Sequence, residues 1–181
     1  MVRILLDNGA DVNAKFEDGY SDKGKTLLHK AASGRSTNDT QMVKLLIEKG
    51  ADIKAKSDSS GKTPLWEAVY TGNAETVKIL LENGADIKEK NSKGWTLLHE
   101  AAKYNGDEKV VRILLENGAD PHAKADESFS IVTLFKTPRD VVWSGSSGSY
   151  EGKKAIEKVL VEYMKRPATM RTVPNGMATT F

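Results

Sequence analysis

The sequence contains no cysteine, which excludes disulfide bonds and thiolate metal sites. It has no run of about 18 apolar residues, the length that a membrane-spanning helix needs, and its first residues lack the basic start and apolar stretch of a signal peptide. The formal net charge is only +2, so the chain has no general attraction to nucleic acid or to an anionic membrane. We therefore expect a cytoplasmic protein that does not bind membranes, and delivery into a host cell stays open.

Sequence motifs that carry catalysis are missing as well. The serines do not lie in a Gly-x-Ser-x-Gly elbow, and there is no phosphate-binding loop of the form Gly-x-x-x-x-Gly-Lys-Ser/Thr. The three histidines, His29, His99 and His122, do not have the spacing of metal ligands. The sequence therefore predicts no catalytic residues, no cofactor and no metal site, and we do not expect an enzyme.

A repeated unit dominates the chain. Its clearest copy is GWTLLHEAAKYNGDEKVVRILLENGAD at residues 94–120, and earlier copies lie at 61–86 and 24–52. A half copy, VRILLDNGAD, begins at Val2. The glycine of the Gly-Ala-Asp phrase recurs in steps of 41, 34 and 34 residues, at Gly9, Gly50, Gly84 and Gly118.

Each copy of the unit predicts two short helices. In the clearest copy, leucines and alanines recur at helical spacing over residues 97–102, and a more apolar second helix covers 110–115. Asp107 precedes the second helix, where a carboxylate can accept unpaired backbone N–H groups. Gly118 follows it, where the chain reverses through a positive φ. In the first copy, Asn38 with Gln41 is expected to cap the second helix.

The length of the repeat and its opening phrase together suggest a family. A period near 33 residues with Thr-Pro-Leu-His at a helix start is the signature of ankyrin repeats, and this chain has GKTPLWEA and GWTLLHEA at that place. The chain therefore resembles the ankyrin repeat family over residues 2–126, and more weakly up to 164. The resemblance implies an all-α ankyrin repeat solenoid, in which helix–turn–helix repeats are joined by hairpin fingers.

About three full repeats are expected, with an N-terminal half repeat and a divergent C-terminal capping repeat. We predict one array over residues 1–164 and a tail over 165–181, with the array divided into 1–15, 16–56, 57–90, 91–124 and 125–164. A repeat stack normally ends in a polar capping face, which the half repeat lacks. A fragment of a longer array is the favoured explanation; otherwise this open N-terminal edge meets a partner or a second copy. We expect a monomer unless that edge pairs two chains.

The resemblance also implies a structural role for two of the histidines. His29 and His99 fill the histidine of the Thr-x-Leu-His phrase, whose side chain joins neighbouring repeats by hydrogen bonds in the family. The middle repeat has Trp66 there, which a required catalytic base would not allow. The acids of the Gly-Ala-Asp phrase are interpreted as shaping the fingers; they are Asp11, Asp52, Asp86 and Asp120.

The function implied by the resemblance is binding of another protein. Ankyrin repeats usually meet partners on a concave side formed by the finger tips and the exposed face of each first helix. Carried onto this chain, those positions are Lys25, Ser33, Lys56, Asp58, Lys62, Tyr70, Thr71, Lys90, Lys93, Trp95, Lys103 and Tyr104. Lysines outnumber acids among them, which favours a partner with an acidic surface, and the aromatic residues are candidate anchors.

Two other functions stay open at this point. The array could be a structural spacer, or a fragment of a longer ankyrin protein. The lysines and aromatic residues could instead hold nucleic acid or a nucleotide, although arginine is scarce among them and no recognition helix is present. The finger lysines could also serve solubility alone.

Overall fold

Paired short helices make up the protein. The computed structural model describes residues 1–17, 22–91, 94–105, 107–125, 137–143 and 149–166. The chain divides into two compact units, Met1–Asp86 and Ile87–Phe181, which we describe in turn. The predicted all-helical architecture is confirmed, and no sheet forms in the described ranges. The predicted single array over 1–164 stays a prediction, and most of the predicted tail, 167–181, lies outside the described residues.

In the first unit, two helix pairs follow a short opening helix. The helices are α1 (Val2–Asp7), α2 (Leu27–Ala32), α3 (Thr37–Glu48), α4 (Pro64–Thr71) and α5 (Ala74–Glu82). Helix α2 packs on α3, α4 packs on α5, and the pairs meet through α2–α4 and α3–α5 contacts. The core is fully buried and aliphatic, with Leu28, Val43, Leu46, Leu65, Val77 and Leu80 at its centre. In α1, by contrast, Ile4 and Leu5 are exposed.

Side chains that cap the backbone set where these helices begin. Thr63 accepts the N–H of Trp66 at 3.2 Å, and Pro64 occupies the first turn of α4, where an N–H is not needed. Helix α3 begins at Thr37, and its cap is Ser36, whose Oγ accepts the N–H of Asp39 at 3.2 Å. The prediction that Asn38 and Gln41 cap this helix is wrong. Ser36 and Asp39 satisfy each other's backbone N–H groups, with the cap two residues earlier than predicted.

Glycine is required at two kinds of position in this unit. Gly84 ends α5 with a φ of 91°, a conformation that other residues rarely adopt. Gly24, in a finger, also has a positive φ, and a Cβ there would collide with the backbone of Asp58. The neighbouring finger, which carries Asp58, can therefore approach closely only because residue 24 has no side chain.

The second unit repeats this helix pairing with one irregularity. Its elements are α6 (Leu97–Glu100), a π-helical turn (Ala101–Asn105), α7 (Glu108–Glu116), α8 (Pro138–Val141) and α9 (Tyr150–Lys165). Helix α9 packs on α7, and α8 packs on α6 and α9. As predicted, Asp107 caps α7 by accepting the N–H of Lys109 at 2.9 Å. Helix α9 buries Ile156, Val159, Leu160 and Tyr163.

The π-helical turn corrects the prediction of one regular helix across residues 97–102. This repeat carries about one residue more than the preceding one between its two helices, near Asn105. In the preceding repeat, α4 ends in a left-handed Gly72. Here the wider turn accommodates the insertion within the helix, as π-bulges do.

Candidate functional site

His29 joins two successive repeats of the first unit. Its side chain is fully buried, the N–H of Thr26 donates to its Nδ1 at 3.0 Å, and its Nε2 lies 3.0 Å from the carbonyl oxygen of Lys62. Because a backbone N–H can only donate, Nδ1 accepts, and the ring proton is on Nε2. Burial lowers the pKa of His29. The predicted link between neighbouring repeats is therefore observed, and this histidine is held neutral.

His99 occupies the same place in the second unit. It is fully buried, and the N–H of Thr96 donates to its Nδ1 at 3.2 Å. The indole of Trp95 lies against it, with ring centroids 5.8 Å apart. Trp66, which replaces the histidine in the middle repeat, is also buried, and its Nε1 has no hydrogen-bond partner in the described part of the chain. These positions belong to the core, not to an accessible site.

The Gly-Ala-Asp carboxylates shape the fingers, as predicted. Asp11, Asp52 and Asp120 each accept the backbone N–H two residues later, at 2.8, 2.9 and 2.9 Å. This local pairing is the Asx turn that such residues commonly form. Within the described residues, no group of histidines and carboxylates is arranged to hold a metal ion, and no helix there is long and apolar enough to cross a membrane.

Among the predicted binding residues, Lys25 is largely covered. Its side chain is 14% exposed, and its Nζ lies 3.1 Å from Glu67 and 3.3 Å from Asp22. Burial disfavours the charged form, but the hydrogen bonds and charges of Glu67 and Asp22 outweigh it and raise the pKa of Lys25. Asp22 also pairs with Lys30 at 2.7 Å, and the hydrogen bond from Lys30 lowers the pKa of Asp22. Lys25 thus links two repeats and presents little charge to solvent.

The other predicted residues of the first unit are closer to the surface. Lys62 Nζ lies 4.8 Å from the ring centroid of Tyr70, whose side chain is 46% exposed. Lys56 is exposed, and Asp58 forms an ion pair of 2.8 Å with Lys15.

Two hydroxyls of the predicted set turn back onto their own helices. The Ser33 hydroxyl donates to the carbonyl oxygen of Lys30 at 2.9 Å, and the Thr71 hydroxyl donates to that of Glu67 at 3.1 Å. The predicted residues that stay near the surface of this unit are therefore Lys56, Asp58 and the lysine–tyrosine pair, Lys62 and Tyr70.

In the second unit, three predicted residues form one cluster. Lys103 Nζ lies 4.8 Å from the ring centroid of Trp95 and 4.8 Å from that of Tyr104. Trp95 and Lys103 are half-buried, and Tyr104 is exposed. Lys90 is exposed at the base of its finger, where it pairs with Thr96. Lys93 lies outside the described residues. We call Trp95, Lys103 and Tyr104 the lysine clamp.

The two units use equivalent positions with the residue types exchanged. Lys62 and Trp95 both directly precede the capping threonine of their repeats, and Tyr70 and Lys103 both follow eight residues later on the first helix. In one repeat the cation comes from the finger and the ring from the helix, and in the next the reverse holds. Such pairs contribute roughly 0.5–1 kcal/mol at exposed sites, and they fix side chains that would otherwise be mobile.

Sequence reasoning missed an exposed aromatic pair in the second unit. Trp143 and Tyr150 are both exposed, with ring centroids 5.5 Å apart. The indole N–H of Trp143 donates to Glu157 at 3.1 Å, and Arg139 contacts the same carboxylate at 3.1 Å. The repeat pattern degrades in this part of the sequence, so no register pointed to these residues.

Comparison with known proteins agrees with the geometry at the level of the family. A search of curated proteins finds no match. The family model for ankyrin repeats (three copies) matches residues 1–91 and 38–125, and these ranges contain helices α1 to α7 and the His29 bond described above. Proteins of this kind typically bind other proteins and are generally not catalysts. The chain belongs to the ankyrin repeat family.

Proposed function

We propose that this protein is a non-catalytic module that binds a partner protein through the finger and first-helix side chains of its repeats. The observation that carries the proposal is the accessible lysine–aromatic group in each unit, Lys62 with Tyr70 and the lysine clamp. Each group stands at positions that ankyrin repeats typically use for partners. Tyrosine and tryptophan provide large contact areas at low entropic cost, and they are frequent anchors of interfaces.

Burial and pairing support a binding role over a chemical one. The buried histidines are engaged in caps, and the finger carboxylates hold their own loops. The lysine–aromatic groups near the surface can attract and hold a partner, but they do not constitute a nucleophile with its base. An acidic partner surface fits them, because a cation on an aromatic platform attracts carboxylates during encounter.

A pull-down from lysate of the native organism tests this function. Wild type is compared with Tyr70→Ala/Trp95→Ala/Tyr104→Ala, after circular dichroism has shown that both are folded. We expect a specific partner that wild type retains and the triple variant loses, with affinity reduced at least tenfold, or about 1.4 kcal/mol. The single-unit variants Tyr70→Ala and Trp95→Ala/Tyr104→Ala show which unit the partner contacts.

A matched control removes exposed side chains from the second helices. The variant Lys78→Ala/Lys109→Ala/Glu116→Ala changes α5 and α7 at exposed positions, and it should retain the partner as wild type does. Equal retention by the aromatic and control variants would move the binding surface away from the fingers and first helices.

A further inference from the structure

The lysine clamp holds a cation in a defined place. An ammonium group within about 6 Å of a ring centroid is attracted by the ring face, and Lys103 meets this condition for both Trp95 and Tyr104. A lysine side chain is normally among the most mobile on a protein surface. Contact with two rings restricts it before any partner arrives, so less freedom is lost when a partner binds.

The π-helical turn provides the second ring. In the first unit, Lys62 lies over the ring of Tyr70, and the next residue, Thr71, bonds back to its own helix. In the second unit the turn Ala101–Asn105 contains both Lys103 and Tyr104, and the Lys103 ammonium contacts the ring on each side of it. The π-helical turn thus contains two of the three residues of the lysine clamp. Such π-bulges are frequent at functional sites.

The charge of Lys103 is not compensated within the described residues. Lys25 is paired with Glu67 and Asp22, and Lys15 is paired with Asp58. Lys103 makes ring contacts, and it forms no ion pair with a carboxylate of the described residues. An ammonium group has three donors, which aromatic faces do not saturate. The clamp therefore presents an oriented ammonium group whose N–H donors can still bind an acceptor.

We propose that Lys103 is the anchor for a single carboxylate on an acidic segment of the partner protein, and that Trp95 and Tyr104 hold it ready and contact an apolar residue beside that carboxylate. This inference rests on the proposed protein-binding function and specifies its chemistry. A carboxylate fits better than a phosphate because the clamp contains one monovalent cation. Phosphate sites usually add an arginine fork or several backbone N–H groups, and the clamp residues include no arginine.

A displayed library of randomised peptides tests the inference. The library is selected on wild type, on Lys103→Met and on Lys109→Met, which removes one exposed positive charge from the same unit. We expect wild type and Lys109→Met to enrich an aspartate or glutamate next to an apolar or aromatic residue, and Lys103→Met to lose this preference. The variant Lys103→Arg, which keeps the charge, should preserve it, and thermal melting checks that every variant is folded.

The best-enriched peptide is then synthesised with glutamate, glutamine or phosphoserine at the acidic position. On wild type, glutamine should weaken binding about tenfold. On Lys103→Met the glutamate and glutamine peptides should bind with equal affinity, since the ammonium group that pairs with the glutamate carboxylate is gone. On Lys109→Met the tenfold difference should persist.

Four results would overturn the inference. In the first, peptides are enriched and depend on Trp95 and Tyr104 but show no acidic preference. In the second, the affinities of the glutamate and glutamine peptides differ as much on Lys103→Met as on wild type. In either case the carboxylate anchor is wrong and the binding function stands. A phosphoserine peptide that binds where the glutamate peptide does not would replace the carboxylate with a phosphate. If wild type enriches no peptide, both the anchor and the proposed function fail.

Discussion

At the scale of single residues, His29 shows how a buried polar group stabilises the junction between repeats. Its Nδ1 faces the N–H of Thr26, and its Nε2 faces a carbonyl oxygen of the next finger. A second ring proton would have to be placed on Nδ1, directly opposite a donor. Protonation places a charge where water is excluded, and this burial is why the pKa of His29 is lowered. Protonation also breaks the hydrogen bond from the Thr26 N–H.

This arrangement predicts a loss of stability in mild acid. The pKa of a histidine is about 6.5 in the unfolded chain and lower in the fold, so the unfolded state takes up the proton first. The contribution of His29 is complete above about pH 6.5 and falls as the pH drops toward the folded value, by at most about 1.4 kcal/mol per pH unit. We expect urea unfolding at pH 7.5 and pH 5 to show this loss in wild type and a smaller loss in His29→Gln.

Two comparisons make the histidine result specific. The variant His122→Gln, at an exposed finger position, should lose as much stability as wild type. Asp22 and Asp39 have pKa values below their usual 3.8, so their contributions are present above that value and are lost only in stronger acid. An unchanged pH dependence in His29→Gln would contradict the assigned role of Nδ1.

Single residues also show what could and could not be predicted from the sequence. The Thr-x-Leu-His phrase was enough to predict the buried position of His29 and His99, because a repeated phrase fixes a repeated environment. It was not enough for Lys25, which was assigned to the surface by position. Its partner Glu67 lies in the following repeat, and contacts between residues that distant in sequence have no local signal.

At the scale of helices, the ends are defined by a few reciprocal bonds. Ser36 and Asp39 cap α3 through both backbone N–H groups, and the hydrogen bond from the Ser36 side chain lowers the pKa of Asp39. The enlarged turn before this helix contains more than one residue suited to a cap, so sequence alone favoured Asn38 when the helix in fact starts earlier. The π-helical turn Ala101–Asn105 has a similar origin. The extra residue near Asn105 was visible in the sequence. Whether such an insertion lengthens a loop or widens a helical turn depends on packing.

The two candidate caps can be separated by a pair of substitutions. Ser36→Ala removes the acceptor of the Asp39 N–H and should lower the free energy of unfolding by about 1 kcal/mol. Asn38→Ala changes an exposed residue inside the first turn and should alter it by less than about 0.5 kcal/mol. Urea denaturation followed by circular dichroism measures both, and the reverse ranking would restore Asn38 as the cap.

At the scale of the whole molecule, the question is how the repeats share their stability. Repeat proteins gain much of it from contacts between neighbouring repeats, and they unfold together when those contacts are strong. In the first unit this coupling is visible in the α2–α4 and α3–α5 contacts, the His29 bond and the Lys25–Glu67 pair. The repeat spacing predicted the helix pairs α2–α3, α4–α5 and α6–α7. After Asp120 the sequence pattern was less informative, because the spacing to the next repeat is longer and the opening phrase is lost.

A single array over residues 1–164 predicts one shared unfolding transition. Leu80 in α5 and Leu114 in α7 are both fully buried, so Leu80→Ala and Leu114→Ala should each lower the free energy of unfolding by roughly 2–5 kcal/mol. In a single array, each substitution shifts the same transition, seen equally by circular dichroism and tryptophan fluorescence. Lys78→Ala and Lys109→Ala, at exposed positions of the same helices, should change it by less than about 0.5 kcal/mol. Two transitions, each sensitive to one leucine, would show that the units fold independently.

The exchange of cation and ring between Lys62–Tyr70 and Trp95–Lys103 has a consequence for how such a protein can diversify. Both members of each pair come from one repeat, eight residues apart, so a duplication or recombination that moves a repeat moves the whole of its proposed recognition element. The His29 bond reaches residue 62 through its backbone carbonyl oxygen, so this junction does not depend on the side chain at position 62. Under the proposed function, shuffling of these repeats would therefore reorder binding specificity and keep this link between repeats.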